Sequence, residues 1–228
     1  MITVSANLFR IVSKVQSTEE TRYYLNGVHI EPHPDAGVIL VATDGYRMIV
    51  AHDPLGCADE TAIVKLPRYA SQLCGGKLGI LKTKVATRRL LHIDADARSA
   101  MIEDIAESPD GSLLEQAPVA TAFNVVLDGT FPDWRRVVPK EVGKPESSRP
   151  TAFNPVYLKL WGEIGADVAK HYQTGSTPLR IALSDGESPV VVRWAPETIM
   201  GVQMPMRDDI KGPAIPAFVT APMKMAAE

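Results

Sequence analysis

With 228 residues, 45% of them hydrophobic and 22% charged, the chain has the composition of an ordinary soluble globular protein and the length for one large or two ordinary domains. A formal charge of −3 excludes a protein that holds nucleic acid by bulk electrostatics alone, while leaving room for a basic surface confined to one face. No run of about 18 apolar residues exists, and the opening MITVSANLFR lacks the basic and apolar blocks of a signal peptide, so a cytoplasmic protein without a membrane span is expected.

Taken in chain order, ITV predicts a short strand leading into a helix around Ala6–Ser17. On that helix Leu8, Ile11, Val12 and Val15 make the i, i+3, i+4, i+7 stripe of a buried face, which leaves Asn7, Arg10 and Lys14 together on the polar side. The stretches RYYLNGVHIE, VILVATDG and YRMIVAH follow as three strands, the ATDG turn ending in a glycine that can take positive φ. A second segment repeats the order. TAIVKL leads to a short helix at about Pro67–Cys74 exposing Arg68, then LGILKTKVATRRLLHI, a DADAR turn and SAMIEDIAE. The third starts at PTAF and continues as a helix from about Pro155 to Ala169. That helix buries Leu158, Trp161 and Ile164 and shows Lys159, Glu163 and Lys170. LRIALSDG, SPVVVRWA and TIMGVQMPM close it, with LSDG repeating the ATDG device. The fold class expected is α+β, three βαβββ units rich in Val, Ile and Thr strands.

Lys140–Pro150, KEVGKPESSRP, reads as a polar linker, and residues 208–228 as a loosely ordered Pro-rich tail. Cys57 and Cys74 are too few and too far apart for a disulfide framework or a CxxC site, so both are expected to be reduced and structural. The five histidines are scattered, and HExxH, GxSxG and Walker-type loops are absent from the sequence. Nothing nominates a catalytic centre, a metal or a cofactor, and a non-enzymatic protein is expected. The final strand ends in VQMPMR. A proline there belongs at an edge or strand end, and the methionines around it are either core filler or a deformable wall for a ligand.

TRYYLNG, VATDGYRM, FPDWRRVVP, FNPVYL and QMPMR, in that order, resemble the bacterial DNA polymerase III beta subunit, the sliding clamp family. The resemblance spans most of residues 1–207. It implies a DNA-clamp fold with sheets outside and helices on the inner face of a ring threaded by duplex DNA. It also implies a division into a full clamp domain at 1–139, similar to the family's middle domain, a linker at 140–150, and a half domain at 151–207, with the tail beyond. The chain then looks like a shortened member.

In that family, partner proteins insert a short peptide into a hydrophobic pocket between the middle and last domains. The residues here that match it are Leu25, Thr43, Gly45, Tyr46, Arg47, Pro132, Arg136, Val137, Asn154, Tyr157, Val202, Met204, Pro205, Met206 and Arg207. Met204 and Met206 would be its adaptable surface, with Arg136 and Arg207 at the rim. Tyr46 stands where the family usually has histidine and Trp134 where it usually has tyrosine. Arg22, Tyr23 and Tyr24 match positions that approach DNA. If Tyr23 and Tyr24 are neighbours in a strand, one faces in and the other out. With Arg10, Lys14, Arg68 and Lys159 they complete the expected contacts to duplex DNA, read without sequence preference.

Helices packed about 9 Å apart give a lining of n helices a circumference of roughly 9n Å, so about twelve, or four copies, would admit a duplex. The expected partners are therefore duplex DNA, polymerase or repair proteins carrying clamp-binding peptides, and further copies of the chain as a homo-oligomer. An interaction module that binds such peptides without encircling DNA is the alternative.

Overall fold

The alternation of apolar residues along VILVAT puts Val38, Leu40 and Ala42 on one face of a strand and Ile39 and Val41 on the other, and both faces are buried. The computed structural model, which describes residues 1–80, 85–140, 151–182 and 188–207, shows why. In chain order the elements are β1 (Ile2–Ser5), α1 (Ala6–Ser13), β2 (Val28–Pro32), β3 (Val38–Thr43), β4 (Arg47–Asp53), β5 (Cys57–Ala58), β6 (Ala62–Val64), α2 (Arg68–Cys74), β7 (Ala86–Asp94), β8 (Ser99–Glu107), β9 (Leu113–Phe123), β10 (Val126–Leu127), α3 (Pro155–His171), β11 (Arg180–Ala182), β12 (Val190–Arg193) and β13 (Ile199–Gln203). Short 3-10 helices lie at Glu20–Leu25 and Trp134–Val137.

A five-stranded sheet runs β5-β1-β7-β8-β9, and an eight-stranded sheet runs β10-β6-β2-β3-β4-β13-β12-β11. The antiparallel pairing of β4 with β13, Val202 opposite Met48 and Met200 opposite Val50, carries the sheet from the first unit into the third without a break. On the helix side, Leu40, Ile49 and Ile199 share one core with Leu8, Ile11, Val12 and Val15 and with Trp161, Ile164 and Val168 of α3. On the opposite side, Val41, Met48 and Val202 join Leu25, Ile63 and Phe131 in a second cluster. Gly201 lets α3 approach the sheet, because a Cβ there would lie 2.9 Å from the Trp161 ring. The Trp161 indole N–H donates to the Gln203 Oε1, which gives that buried amide oxygen its partner.

The three-unit order holds, with particular departures. RYYLNG is not strand: Glu20–Leu25 winds as a 3-10 helix, and β2 begins only at Val28. Local bonds explain it, since Arg22 grips Glu19 at 2.7 and 2.8 Å, Asn26 N–H donates to the Tyr23 carbonyl, and Ser17 N–H donates to the Leu25 carbonyl. Tyr23 and Tyr24 are thus turn residues with rings 5.9 Å apart at 76°, not opposite faces of a strand.

α1 ends at Ser13 rather than Ser17, and the chain tightens to i+3 bonds from Lys14 through Gln16. PTAF contributes one bridge, Ala152 to Met206, in place of a strand. The Leu78–Ile80 part of LGILKTKV stays outside β7, held where Gly79 N–H meets the Asp104 carboxylate at 2.5 Å. β9 was not anticipated at all. Its Pro118 is tolerated because the strand is at a sheet edge and its register shifts there, between Ile102 and Glu103 of β8. LSDG, most of the linker and the tail lie outside the described residues.

Candidate protein-binding groove and nucleic-acid face

The β3–β4 turn is built by its own side chains. Thr43 Oγ1 accepts from Gly45 N–H at 3.0 Å and donates to the Arg47 carbonyl at 2.7 Å, while Gly45 sits at φ +89, the conformation ATDG predicts. Asp44 Oδ1 accepts from the backbone of Tyr46 and Arg47 at 2.9 and 2.8 Å, and its Oδ2 holds the Arg47 guanidinium at 2.6 and 2.9 Å. Thus oriented, the guanidinium stacks 4.0 Å above the Tyr157 ring. The Tyr46 and Tyr157 rings lie 6.4 Å apart, and Met204 N–H donates to the Tyr46 carbonyl at 2.9 Å. Asn154 caps α3 by accepting from Val156 N–H at 2.9 Å, with Pro155 in the first turn, and this fixes where Tyr157 points.

The structure therefore brings Thr43, Gly45, Tyr46, Arg47, Tyr157 and Met204 into one constellation, with Met206 N–H bonded to Ala152 O at 2.8 Å two residues before Asn154. Met204 is 41% exposed and Met206 49%, so the methionines of VQMPMR are surface, while Val202 and Gln203 ahead of them are core. Leu25 and Val202 form the buried floor beside it. Pro132, Arg136 and Val137 are exposed, and they belong to the segment whose Trp134 and Val138 pack on that same floor. Arg136 is 83% exposed, 3.9 Å from Asp133, and Arg207 is exposed as well. Sequence reasoning missed Asp44, which positions Arg47 and was visible in ATDG, and the exposed Val156 on the first turn of α3.

The expected nucleic-acid residues fall in separate places. Arg10 and Lys14 both reach Asp167 of α3, at 3.4 and 2.7 Å. Lys159 lies 3.9 Å from Glu163, and Arg68 is exposed at the start of α2. Arg22 is on the groove side, because a Cβ on Gly45 would lie 2.7 Å from its Nη1. Its pKa is raised by the hydrogen bond to Glu19. Tyr23 is exposed, and Tyr24 packs on the floor cluster.

The sequence profile of the DNA polymerase III beta subunit central domain matches residues 3–71, which hold the whole first unit and the β3–β4 turn. The chain is similar to the beta sliding clamps over this segment and beyond it. It is 34% identical over 154 residues to the beta sliding clamp of Caulobacter vibrioides, covering 63% of this chain and 36% of that one. To the clamp of Vibrio cholerae it is 31% identical over 144 residues, with 61% and 33% covered. It therefore spans about a third of the curated clamps it matches. Among solved structures, a sliding clamp from Bartonella birtlesii bound to griselimycin superposes with a TM-score of 0.57 at 20% identity, over 91% of this chain and 66% of that one. The clamp of C. crescentus gives 0.52 at 23%, over 91% and 65%. These likenesses confirm the clamp fold.

Proposed function

We propose that this chain is a clamp-type processivity factor that tethers polymerase or repair proteins, by a linear peptide of theirs, in the groove between the β3–β4 turn, Tyr157 and the Met204–Met206 segment. The observation that carries the reading is the Asp44–Arg47–Tyr157 stack, which holds two aromatic rings and a cation beside two exposed methionines over an apolar floor. Methionine adapts its shape to different apolar side chains, so one groove can serve several partners sharing a motif. Binding and tethering need no chemistry from the protein, so the reading is of a non-enzymatic, cytoplasmic replication protein. Residues 1–139 would act as a full clamp domain and residues 151–207 as a half.

Encirclement of duplex DNA by several copies is part of the same reading. Edge strands β9 and β11 end the two sheets among the described residues, and an unpaired edge favours addition of another copy. One observation favours the second reading, a peptide-binding module that does not surround DNA: the α1 cations Arg10 and Lys14 share Asp167, which offsets one of their two charges. Light scattering at micromolar concentration, together with titration of a clamp-binding peptide, tests both. A closed oligomer that binds the peptide supports the clamp, and a strict monomer that binds it supports the module. A chain that ignores the peptide refutes both.

A further inference from the structure

A cavity of about 550 Å³ opens on the helix side of the eight-stranded sheet, away from the groove, between α1, the segment following α2, β7 and the C-terminal end of α3. Its volume lies within the range of small-molecule sites, roughly 300–1,000 Å³. We propose that it binds a phosphate-bearing ligand, with Lys77 and Lys170 holding the phosphate and Leu78 and Leu90 taking the organic part.

The charge balance of the walls points there. Five Lys and Arg side chains line the cavity against two carboxylates, Asp53 and Asp167, in a chain whose total charge is −3. Both carboxylates are committed. Asp53 accepts from the backbone N–H of Ser5 at 2.6 Å and of Leu55 at 3.2 Å, and Asp167 is shared by Arg10 and Lys14. Arg89 is spent on Asp104. Arg88 gives its Nη2 to Glu107 at 2.8 and 3.0 Å but leaves its Nε without a hydrogen-bond partner. Lys77 and Lys170 have no ion pair among the described residues. An excess of cations of this kind suits a ligand carrying two or more negative charges, and ammonium groups bind phosphate oxygens as point charges. The apolar stretch of wall separates this site from a bare cation patch, since it offers contact to the non-ionic part of a nucleotide.

Phosphate chemistry can come from a free nucleotide or from a nucleic-acid backbone. Calorimetric titration of the full chain at low salt with pyrophosphate, ATP, adenosine and a duplex oligonucleotide separates the sources. ATP and pyrophosphate are expected to bind and adenosine not. Lys77→Ala combined with Lys170→Ala, both exposed positions, should weaken ATP by at least about tenfold. A control that removes equal charge elsewhere, Lys65→Ala with Arg193→Ala, should change it less than about twofold. If the cavity variant loses ATP and keeps duplex binding, the ligand is a free nucleotide. If it loses both and the duplex competes with ATP, the cavity is only part of the duplex-binding face already proposed, and a separate phosphate ligand is refuted. Equal losses in the cavity and control variants, or no ATP binding by the unmodified chain up to about 5 mM, would overturn the proposal. The groove variant Met204→Ala with Met206→Ala should bind ATP normally, which keeps this test separate from that of the groove.

Discussion

Lys14 Nζ lies 2.7 Å from Asp167 Oδ2, and the same oxygen is 3.4 Å from Arg10 Nη1. One carboxylate on α3 thus pairs with both cations that the sequence places on the polar side of α1, offsetting one of their two charges, and it ties the first unit to the third. All three side chains are about a third exposed or less, so solvent screens the pair only in part, and its worth is on the order of 1 kcal/mol. Asp167→Asn should therefore cost little stability and release two charges. If α1 faces DNA, duplex affinity rises several-fold at low salt, and the slope of log K against log salt steepens by about 1–2. Anisotropy of a labelled duplex over a salt series reads this, and an unchanged slope would remove α1 from the DNA face.

The groove makes a separate prediction. Met204→Ala with Met206→Ala should weaken a clamp-binding peptide by about 1–3 kcal/mol through lost apolar contact, and unchanged affinity would dispose of the groove. Asp44→Ala is subtler, because it touches no ligand. Without its carboxylate the Arg47 guanidinium loses two of the bonds that hold it over Tyr157, so peptide affinity should fall. Because Oδ1 also accepts from the backbone of Tyr46 and Arg47, the turn should lose about 1–2 kcal/mol of stability, which Asp44→Asn should partly restore without restoring affinity.

How much of this was legible depends on whether a feature is local. The α1 stripe, the Gly45 turn and the Pro155 helix start are written in adjacent residues, and each is found where its spacing puts it. The motifs that mark the groove were legible too, because they are short and lie on elements the pairing of β4 with β13 brings together. What could not be read was partnership at a distance. Arg10 and Lys14 look free in sequence because Asp167 is more than 150 positions away. Tyr23 and Tyr24 look like strand because nothing local announces that Ser17 and Leu25 will bond and close the segment as a turn. β9 was missed because Pro118 argues against a strand unless the strand is known to lie at an edge.

Arg89 and Asp104 form a buried pair at 2.6 Å, their side chains 3% and 1% exposed. Arg89 also donates to the carbonyls of Leu73 and Lys77, so it closes the C-terminal end of α2 and the segment after it. Burial alone would raise the Asp104 carboxyl, but Arg89 and the Gly79 N–H outweigh it and hold it below the usual carboxylate range. Arg89→Ala strands a carboxylate in the interior and should cost about 3–5 kcal/mol by denaturant unfolding. Arg89→Leu with Asp104→Leu should recover part of that loss. A single variant costing under about 1 kcal/mol would show that the pair is not buried in solution.

Stability should also depend on pH through two histidines. His29 stacks on Phe131 with ring centroids 4.7 Å apart, and its burial lowers its pKa against the pull of Glu31, 3.1 Å from its Nε2. Burial likewise lowers His171, against the pull of Asp53. Both start from 6.5 in the unfolded chain. The unfolded state then takes up protons at a higher pH than the folded state does, so stability is full above 6.5 and is lost as pH falls through that value toward the lowered folded ones. Glu31 and Asp104, both held below the usual range, do not protonate until pH is lower still, and they leave this window to the histidines. Calorimetric melting between pH 7.5 and 5.5 should show a falling midpoint, and His29→Gln with His171→Gln should flatten it. A midpoint that rises on acidification would mean that these rings gain a proton on folding, which burial of this kind forbids.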